Sequence, residues 1–206
     1  MTGSRIKIRL HGMIGIIFGP PGSGKGTQAA RLEQELRLHH LSTGDILRSE
    51  VARGSALGQE VGRIMAAGDL VPDRLIVDIV RTRLPEAEAG AGALLDGFPR
   101  TVAQARALDE MLADEGHSLD FIVALEVPEQ LLIDRLLQRA KVEGRTDDNR
   151  ESIEERMHEY HKLTEAVLGH YRQQGLAIHE VDGTGTPDEV FARVKGAVTG
   201  ISSVQG

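Results

Sequence analysis

The stretch GPPGSGKGT, Gly19 to Thr27, constrains this chain more than any other. It matches the phosphate-loop spacing G-x-x-x-x-G-K through Gly19, Gly24 and Lys25. It follows a short apolar run, MIGIIF from Met13 to Phe18, and precedes a segment in which Ala29, Leu32 and Leu36 keep a helical repeat. Strand, glycine loop and helix in that order are what phosphate binding needs. Several backbone N–H groups must point inward at phosphate oxygens, glycines permit the curl, and the helix N-terminus adds a favourable dipole. An ordinary Gly/Pro turn containing Lys is the dull alternative, and the flanking strand and helix argue against it. The segment therefore reads as a nucleoside triphosphate site with Gly22, Ser23, Gly24, Lys25, Gly26 and Thr27 as its candidates, Lys25 supplying a full charge.

Gly26 stands where this motif usually has Ser or Thr, and Thr27 comes one residue later. A missing hydroxyl beside Lys25 weakens direct ligation of magnesium by the loop and points to a metal held mainly by phosphates and water. Asp96, at the end of the apolar stretch ALLD, is the candidate for orienting those waters. Its duller reading is a helix-capping aspartate after a strand.

Periodicity and punctuation extend the pattern along the chain. Strands are predicted at Met13 to Phe18, His40 to Ser42, Ala93 to Asp96, Asp120 to Val127 and Ala177 to Val181. Helices are predicted from Gly24 to about Leu38, Asp45 to Arg53, Leu57 to Ala67, Pro72 to Arg83, Val102 to Asp114, Glu129 to Ala140, Ile153 to Gln173 and onward from Pro187, with Pro85 to Gly92 as loop. Buried strands alternating with helices imply an α/β domain with a mainly parallel sheet. Residues 1–12 read as an appendage and residues 200–206 as a tail around a domain spanning 13–199. There is no internal repeat.

Composition removes several function classes. With 31 Asp plus Glu against 24 Lys plus Arg, the net charge of −7 disfavours nonspecific attraction to nucleic acid or anionic lipid. Six aromatic residues, none of them Trp, leave little to stack bases on. Zero Cys excludes thiol catalysis and thiolate zinc sites and fits a reducing compartment, so the expected setting is the cytoplasm. No apolar run approaches the ~20 residues of a membrane span. Any anion the chain binds must therefore meet locally clustered cations. On spacing alone those cations are unremarkable: Arg135 and Arg139, four apart, make a solvated helix face, and Arg145 and Arg156 are loop and helix-surface charges.

Four further segments change that assessment. LSTGDILR (Leu41 to Arg48), LLDGFPRT (Leu94 to Thr101), the pair Arg135 and Arg139, and GRTDDN followed by Arg156 together resemble the adenylate kinase family, from about Met13 to about Val198. The resemblance implies a phosphate-loop nucleoside monophosphate kinase fold, a parallel sheet flanked by helices with a helical AMP-binding insertion at about 42–71 and a short lid at about 140–149. It implies magnesium-dependent, reversible transfer of the ATP γ-phosphoryl group to AMP, giving two ADP. Lys25, Arg100, Arg139, Arg145 and Arg156 match the family's catalytic positions. Arg135, Arg139 and Gly183 join the loop at ATP, and Thr43, Arg48, Val71, Gly97, Arg100, Gln104, Arg145 and Arg156 match the AMP side. Only five residues separate Arg139 from Arg145, which resembles the short-lid subclass. Because there is no Cys and HEYH at His158 to His161 lacks H-E-x-x-H spacing, no structural zinc is expected. The resemblance further implies a monomer whose partners are ATP, AMP and ADP, with no nucleic acid and no membrane. UMP/CMP kinase is the nearest alternative, and a noncatalytic ATP-binding switch protein is one of another class. The second set of arginines argues against the switch, since a module that only senses ATP has no use for them.

Overall fold

A computed structural model describes residues 12–88, 92–145 and 148–201. Residues 1–11 of the expected appendage, 146–147 of the expected lid and 202–206 of the expected tail lie outside the described residues. Five strands, β1 (Met13–Phe18), β2 (His39–Ser42), β3 (Gly92–Asp96), β4 (Phe121–Glu126) and β5 (Ile178–Asp182), form one parallel sheet in the order β2-β3-β1-β4-β5. The helices are α1 (Lys25–Leu36), α2 (Thr43–Arg53), α3 (Ala56–Ala67), α4 (Asp73–Glu88), α5 (Val102–Asp114), α6 (Glu129–Glu143), α7 (Arg150–Glu159), α8 (Glu165–Gln173) and α9 (Pro187–Ile201).

β1 shows why such a sheet needs helices on both faces. Ile14, Ile16 and Phe18 point into one buried cluster with Val80, Leu108 and Val167, while Met13 and Ile17 point into a second with Leu32 and Val194. Alternation of side chains thus feeds two cores, and a strand buried on both faces is apolar along its whole length. All five C-terminal strand ends lie along one edge, where the connections switch from one side of β1 to the other, the usual place for a ligand in an open α/β sheet.

Several boundaries differ from the sequence reading. α1 stops at Leu36, two residues early, because Arg37 takes a left-handed φ of 59°. α2 starts at Thr43 instead of Asp45, since the Ser42 hydroxyl accepts from the Asp45 N–H at 3.2 Å and caps the earlier turn. The expected loop from Pro85 is corrected to helix as far as Glu88. Pro85 forfeits one backbone bond at an exposed position, and α4 continues past it. α6 runs on to Glu143 and stops at Gly144, which adopts φ 64°. α9 includes Gly200 and Ile201, the first two residues of the expected tail.

The long helix expected from Ile153 to Gln173 starts at Arg150, where the Asn149 side chain accepts from the Ser152 N–H at 3.0 Å. It is interrupted by a wide turn at Tyr160–Thr164 with π-type bonding. In a straight α-helix Arg156 and Thr164 would point about 80° apart, whereas one inserted residue brings them within about 20° of each other. Both therefore reach the same cavity, and Thr164 Oγ1 donates to the Arg100 carbonyl at 3.3 Å.

Candidate active site

Between β1 and α1 the loop curls as its glycines permit. Gly22 and Gly24 have φ of 81° and 92°, a region L side chains rarely adopt, and a Cβ on Gly22 would lie 2.8 Å from the Leu132 carbonyl. Gly24 caps α1 without any side-chain bond, and the first turn of α1 carries no acidic residue, so its leading N–H groups face the cleft with a positive dipole. Ser23 Oγ is buried and has no hydrogen-bond partner among the described residues. Lys25 Nζ donates to the carbonyls of Gly19 at 2.6 Å and Pro20 at 3.0 Å, which holds the ammonium over the loop. Burial pulls its pKa down to about 8. The Asp96 charge opposes that fall, while the charges of Arg100, Arg156 and Arg139 add to it.

The loop opens on a cleft of about 800 Å³. Its walls bring together Gly22 to Thr27, Arg48, Asp96, Gly97, Arg100, Arg135, Arg139, Arg145, Arg156 and Gly183. Arg135 donates to the Gly183 carbonyl at 3.2 Å, tying α6 to the turn after β5. Arg48 pairs with Asp45 at 2.5 Å and Arg145 with Glu143 at 2.6 Å, both contacts open to solvent. Arg100 donates through Nε to the Gly97 carbonyl at 2.9 Å, and burial together with the Arg156 charge lowers its pKa to about 10, against the pull of Asp96.

Asp148 is one of the residues that sequence reasoning passed over. GRTDDN read as polar loop, yet the Asp148 carboxylate is buried and binds Arg139 through two bonds, 2.6 and 2.8 Å, and Arg156 at 2.7 Å. Burial alone raises a carboxyl pKa, but these two guanidiniums outweigh it and hold Asp148 below the ordinary value. One anion thus joins α6 to α7 and aims two arginines at one space. The available signal was a second acidic residue in a loop flanked by cations, which by itself is indistinguishable from a solvated loop.

Asp96 is buried at the end of β3 with Oδ2 facing the loop, 3.8 Å from where a Cβ on Gly26 would stand. It caps no helix; Thr101 caps α5, its Oγ1 accepting from the Gln104 N–H at 3.1 Å. His40 Nε2 lies 3.2 Å from Asp96 Oδ2. Burial draws the imidazole pKa down, but the hydrogen bond and charge of Asp96 raise it further, so the net shift is upward. Among the described residues no group of three or more His, Cys, Asp or Glu could hold a metal.

A smaller cavity of about 70 Å³ lies beside the cleft, lined by Thr43, Arg48, Val71, Gly97, Arg100, Gln104 and Arg156. Thr43 Oγ1 is 3.0 Å from the Gly97 carbonyl, which it meets as donor. Gln104 is buried; its Oε1 accepts from the Arg100 N–H at 2.7 Å and its Nε2 donates to Asp73 Oδ1 at 2.7 Å. Asp73 Oδ2 accepts from Thr101 Oγ1 at 2.8 Å. Neither Asp73 nor His40 was singled out from sequence, since each matters through a partner distant along the chain. Arg156 lines this cavity, the main cleft and a third cavity of about 80 Å³ against Phe98, Tyr160 and Thr164.

Known proteins resemble this chain over most of its length. The family model described as adenylate kinase matches residues 17–176. An adenylate kinase of Thermus thermophilus is 52% identical over 183 residues, covering 89% of this chain and 95% of that protein. One from Phenylobacterium zucineum is 48% identical over 188 residues, 91% of this chain and 98% of its own length. A third, from Xanthomonas campestris pv. campestris, is 49% identical over 179 residues, 87% of this chain and 95% of that protein. With nearly the whole length shared at about half identity, the chain belongs to the adenylate kinase family.

Proposed function

We propose that this chain transfers the γ-phosphoryl group of ATP reversibly to AMP, giving two ADP. The observation that carries the reading is the place of Arg156 and Arg100, which line both the large cleft at the phosphate loop and the small cavity around Thr43 and Gln104. A donor phosphate chain on the loop and an acceptor phosphate at Arg48 and Arg100 then meet across one set of cations. Phosphoryl transfer asks for little else from a protein than charge neutralisation and in-line positioning with water kept out.

On this assignment the Gly22 to Thr27 backbone and Lys25 hold the donor phosphates, while Arg135 and Gly183 frame the ATP base. Arg139 contacts the donor phosphates, and Arg145 and Arg156 span both phosphate chains. Thr43, Val71, Gly97 and Gln104 enclose the acceptor nucleoside, with the amide of Gln104 at the adenine edge. The inward Asp96 carboxylate fits a magnesium ion held through water, and when bound that ion supplies charge neutralisation at the transferring phosphate. The helical pair α2 and α3 serves as the AMP-binding insertion, and the segment around 140–149 as a lid that excludes water. One chain carries every group named here, so the monomer is taken as the active unit; the absence of Cys fits the cytoplasm as its setting. No helix among the described residues is long and apolar enough to cross a membrane.

The direct test is ADP formation from ATP plus AMP compared with ATP alone, extended across AMP, UMP, CMP, GMP and dAMP. AMP is expected to exceed CMP and UMP in kcat/KM by at least about 10². Gln104→Ala is expected to lose acceptor discrimination more than ATP affinity, since a lost base contact is worth roughly 1 to 3 kcal/mol. Comparable turnover of CMP or UMP would move the protein to the pyrimidine kinases; no AMP-dependent ADP formation would remove the assignment. Arg145→Ala is expected to lower kcat while leaving the ligand-free melting temperature nearly unchanged, because its ion pair with Glu143 is solvent-facing and such pairs contribute about 0 to 1 kcal/mol. Strong destabilisation of the ligand-free variant would make Arg145 structural.

A further inference from the structure

A glutamine amide that reads a base has an ambiguity built in: rotating it by half a turn exchanges a donor for an acceptor at almost no steric cost. If Gln104 were free to turn it would greet the 6-amino edge of adenine and the 6-oxo edge of hypoxanthine or guanine equally well. The structure removes that freedom. A carboxylate can only accept, and Asp73 Oδ1 takes the Gln104 Nε2 hydrogen at 2.7 Å. A backbone N–H can only donate, and that of Arg100 gives its hydrogen to Gln104 Oε1 at 2.7 Å. Turning the amide would set Oε1 against the carboxylate and the NH2 group against an N–H, exchanging two good contacts for two repulsive ones at a side chain 1% exposed. Asp73 is itself held in place, because its other oxygen accepts from Thr101 Oγ1 at 2.8 Å, and Thr101 caps the helix that carries Gln104.

After these contacts the amide has one N–H and one oxygen lone pair left, in a fixed order. Adenine offers the matching pair, a ring nitrogen that accepts and an exocyclic amine that donates. The 6-oxopurines offer the opposite pair.

We propose that Asp73 is the positioning residue that sets acceptor-base specificity, by fixing the Gln104 amide in the orientation that accepts a 6-aminopurine nucleotide and refuses a 6-oxopurine one. The proposal rests on the reading of the Thr43 and Gln104 cavity as the acceptor-nucleoside site.

AMP and IMP test it, since they match in size and differ only at this edge. The native enzyme is expected to favour AMP over IMP in kcat/KM by about 10³ or more, as sites that pair with a polar group reject the analogue with the wrong one. Asp73→Asn, whose side chain offers either a donor or an acceptor to Gln104, is expected to narrow that ratio at least about tenfold with KM for ATP unchanged. Asp73→Ser, too short to reach Gln104 yet suited to a helix start, is expected to narrow it as well and stands in if the first variant does not melt cooperatively. An unchanged AMP to IMP ratio in a folded variant overturns the proposal, as does an equal loss for both nucleotides, which is what a merely structural role produces. Absence of AMP over IMP preference in the native enzyme counts instead against the acceptor-site reading.

Discussion

Lys25→Met should lower kcat by about 10² to 10³ with folding intact, equivalent to the ~3 to 4 kcal/mol typically lost with one preorganised donor to transition-state charge. Methionine keeps the shape of the lysine stem and removes the ammonium, its charge together with its hydrogen bonds to the Gly19 and Pro20 carbonyls. Nothing else on the loop replaces it, because the remaining donors there, backbone N–H groups and the Ser23 and Thr27 hydroxyls, are neutral. The pH profile gives an independent readout. Ligand-free Lys25 has a pKa of about 8 against an ordinary 10.5, so between those values the native state binds fewer protons than the unfolded chain. Ligand-free stability attributable to this group therefore rises with pH across that window, while kcat/KM for ATP falls as the ammonium is lost from the free enzyme. Both pH effects should vanish in the methionine variant. A variant that retains native kcat shows that Lys25 has no part in the transfer.

Asp148→Ala should be the most disruptive change in the cleft that touches no nucleotide on our assignment. It leaves the guanidiniums of Arg139 and Arg156 without the buried anion that joins them, and breaking a buried pair from one side costs about 3 to 5 kcal/mol. For a chain of this size that is a fall in melting temperature of about 10 °C. Phosphates can take over part of the missing role, so ATP together with AMP should raise the melting temperature of the variant more than that of the native protein. The stabilisation has an acid limit: the Asp148 pKa is held below 3.8, so its contribution is present above that value and disappears as falling pH protonates the carboxylate. kcat should also fall, by about 10² or more, since two arginines lose their aim. A variant with native melting temperature and native kcat would remove Asp148 from this role.

The phosphate loop was legible because its function is local: glycine spacing, the lysine and the neighbouring strand and helix all lie within a short stretch. Strand positions were legible for the same reason, apolar runs being self-contained signals. The acceptor-side residues Arg48, Arg100 and Gln104 showed no such signal on their own, and only their resemblance to known motifs singled them out. Asp73 and Asp148 stayed hidden because what matters is which cation or amide the folded chain brings to them, a pairing with no local periodicity. Pro85 misled because its rule describes a cost, and α4 bears that cost at an exposed turn. The wide turn at Tyr160–Thr164 escaped because an extra residue in a helix shifts the phase of an apolar pattern without erasing it.

That turn also separates two obligations that a rigid rod would force together. The α8 half is keyed to the core by Val167 and Tyr171, while the α7 half must present Arg156 to the cleft. With a spare residue between them, each half keeps its own angular setting, as two gears on one shaft do when a coupling lets them be timed separately. Straightening the turn at the same chain length would swing position 156 about 100° away from the phosphates, whereas deleting one residue from 160 to 164 closes the bulge into regular helix and leaves the two halves in the same relative setting. A descendant that lost the spare residue would keep its arginine at the same place on the helix face. What is held at this place is the angle between the two halves, and chain length is free to change by the one residue that the wide turn absorbs.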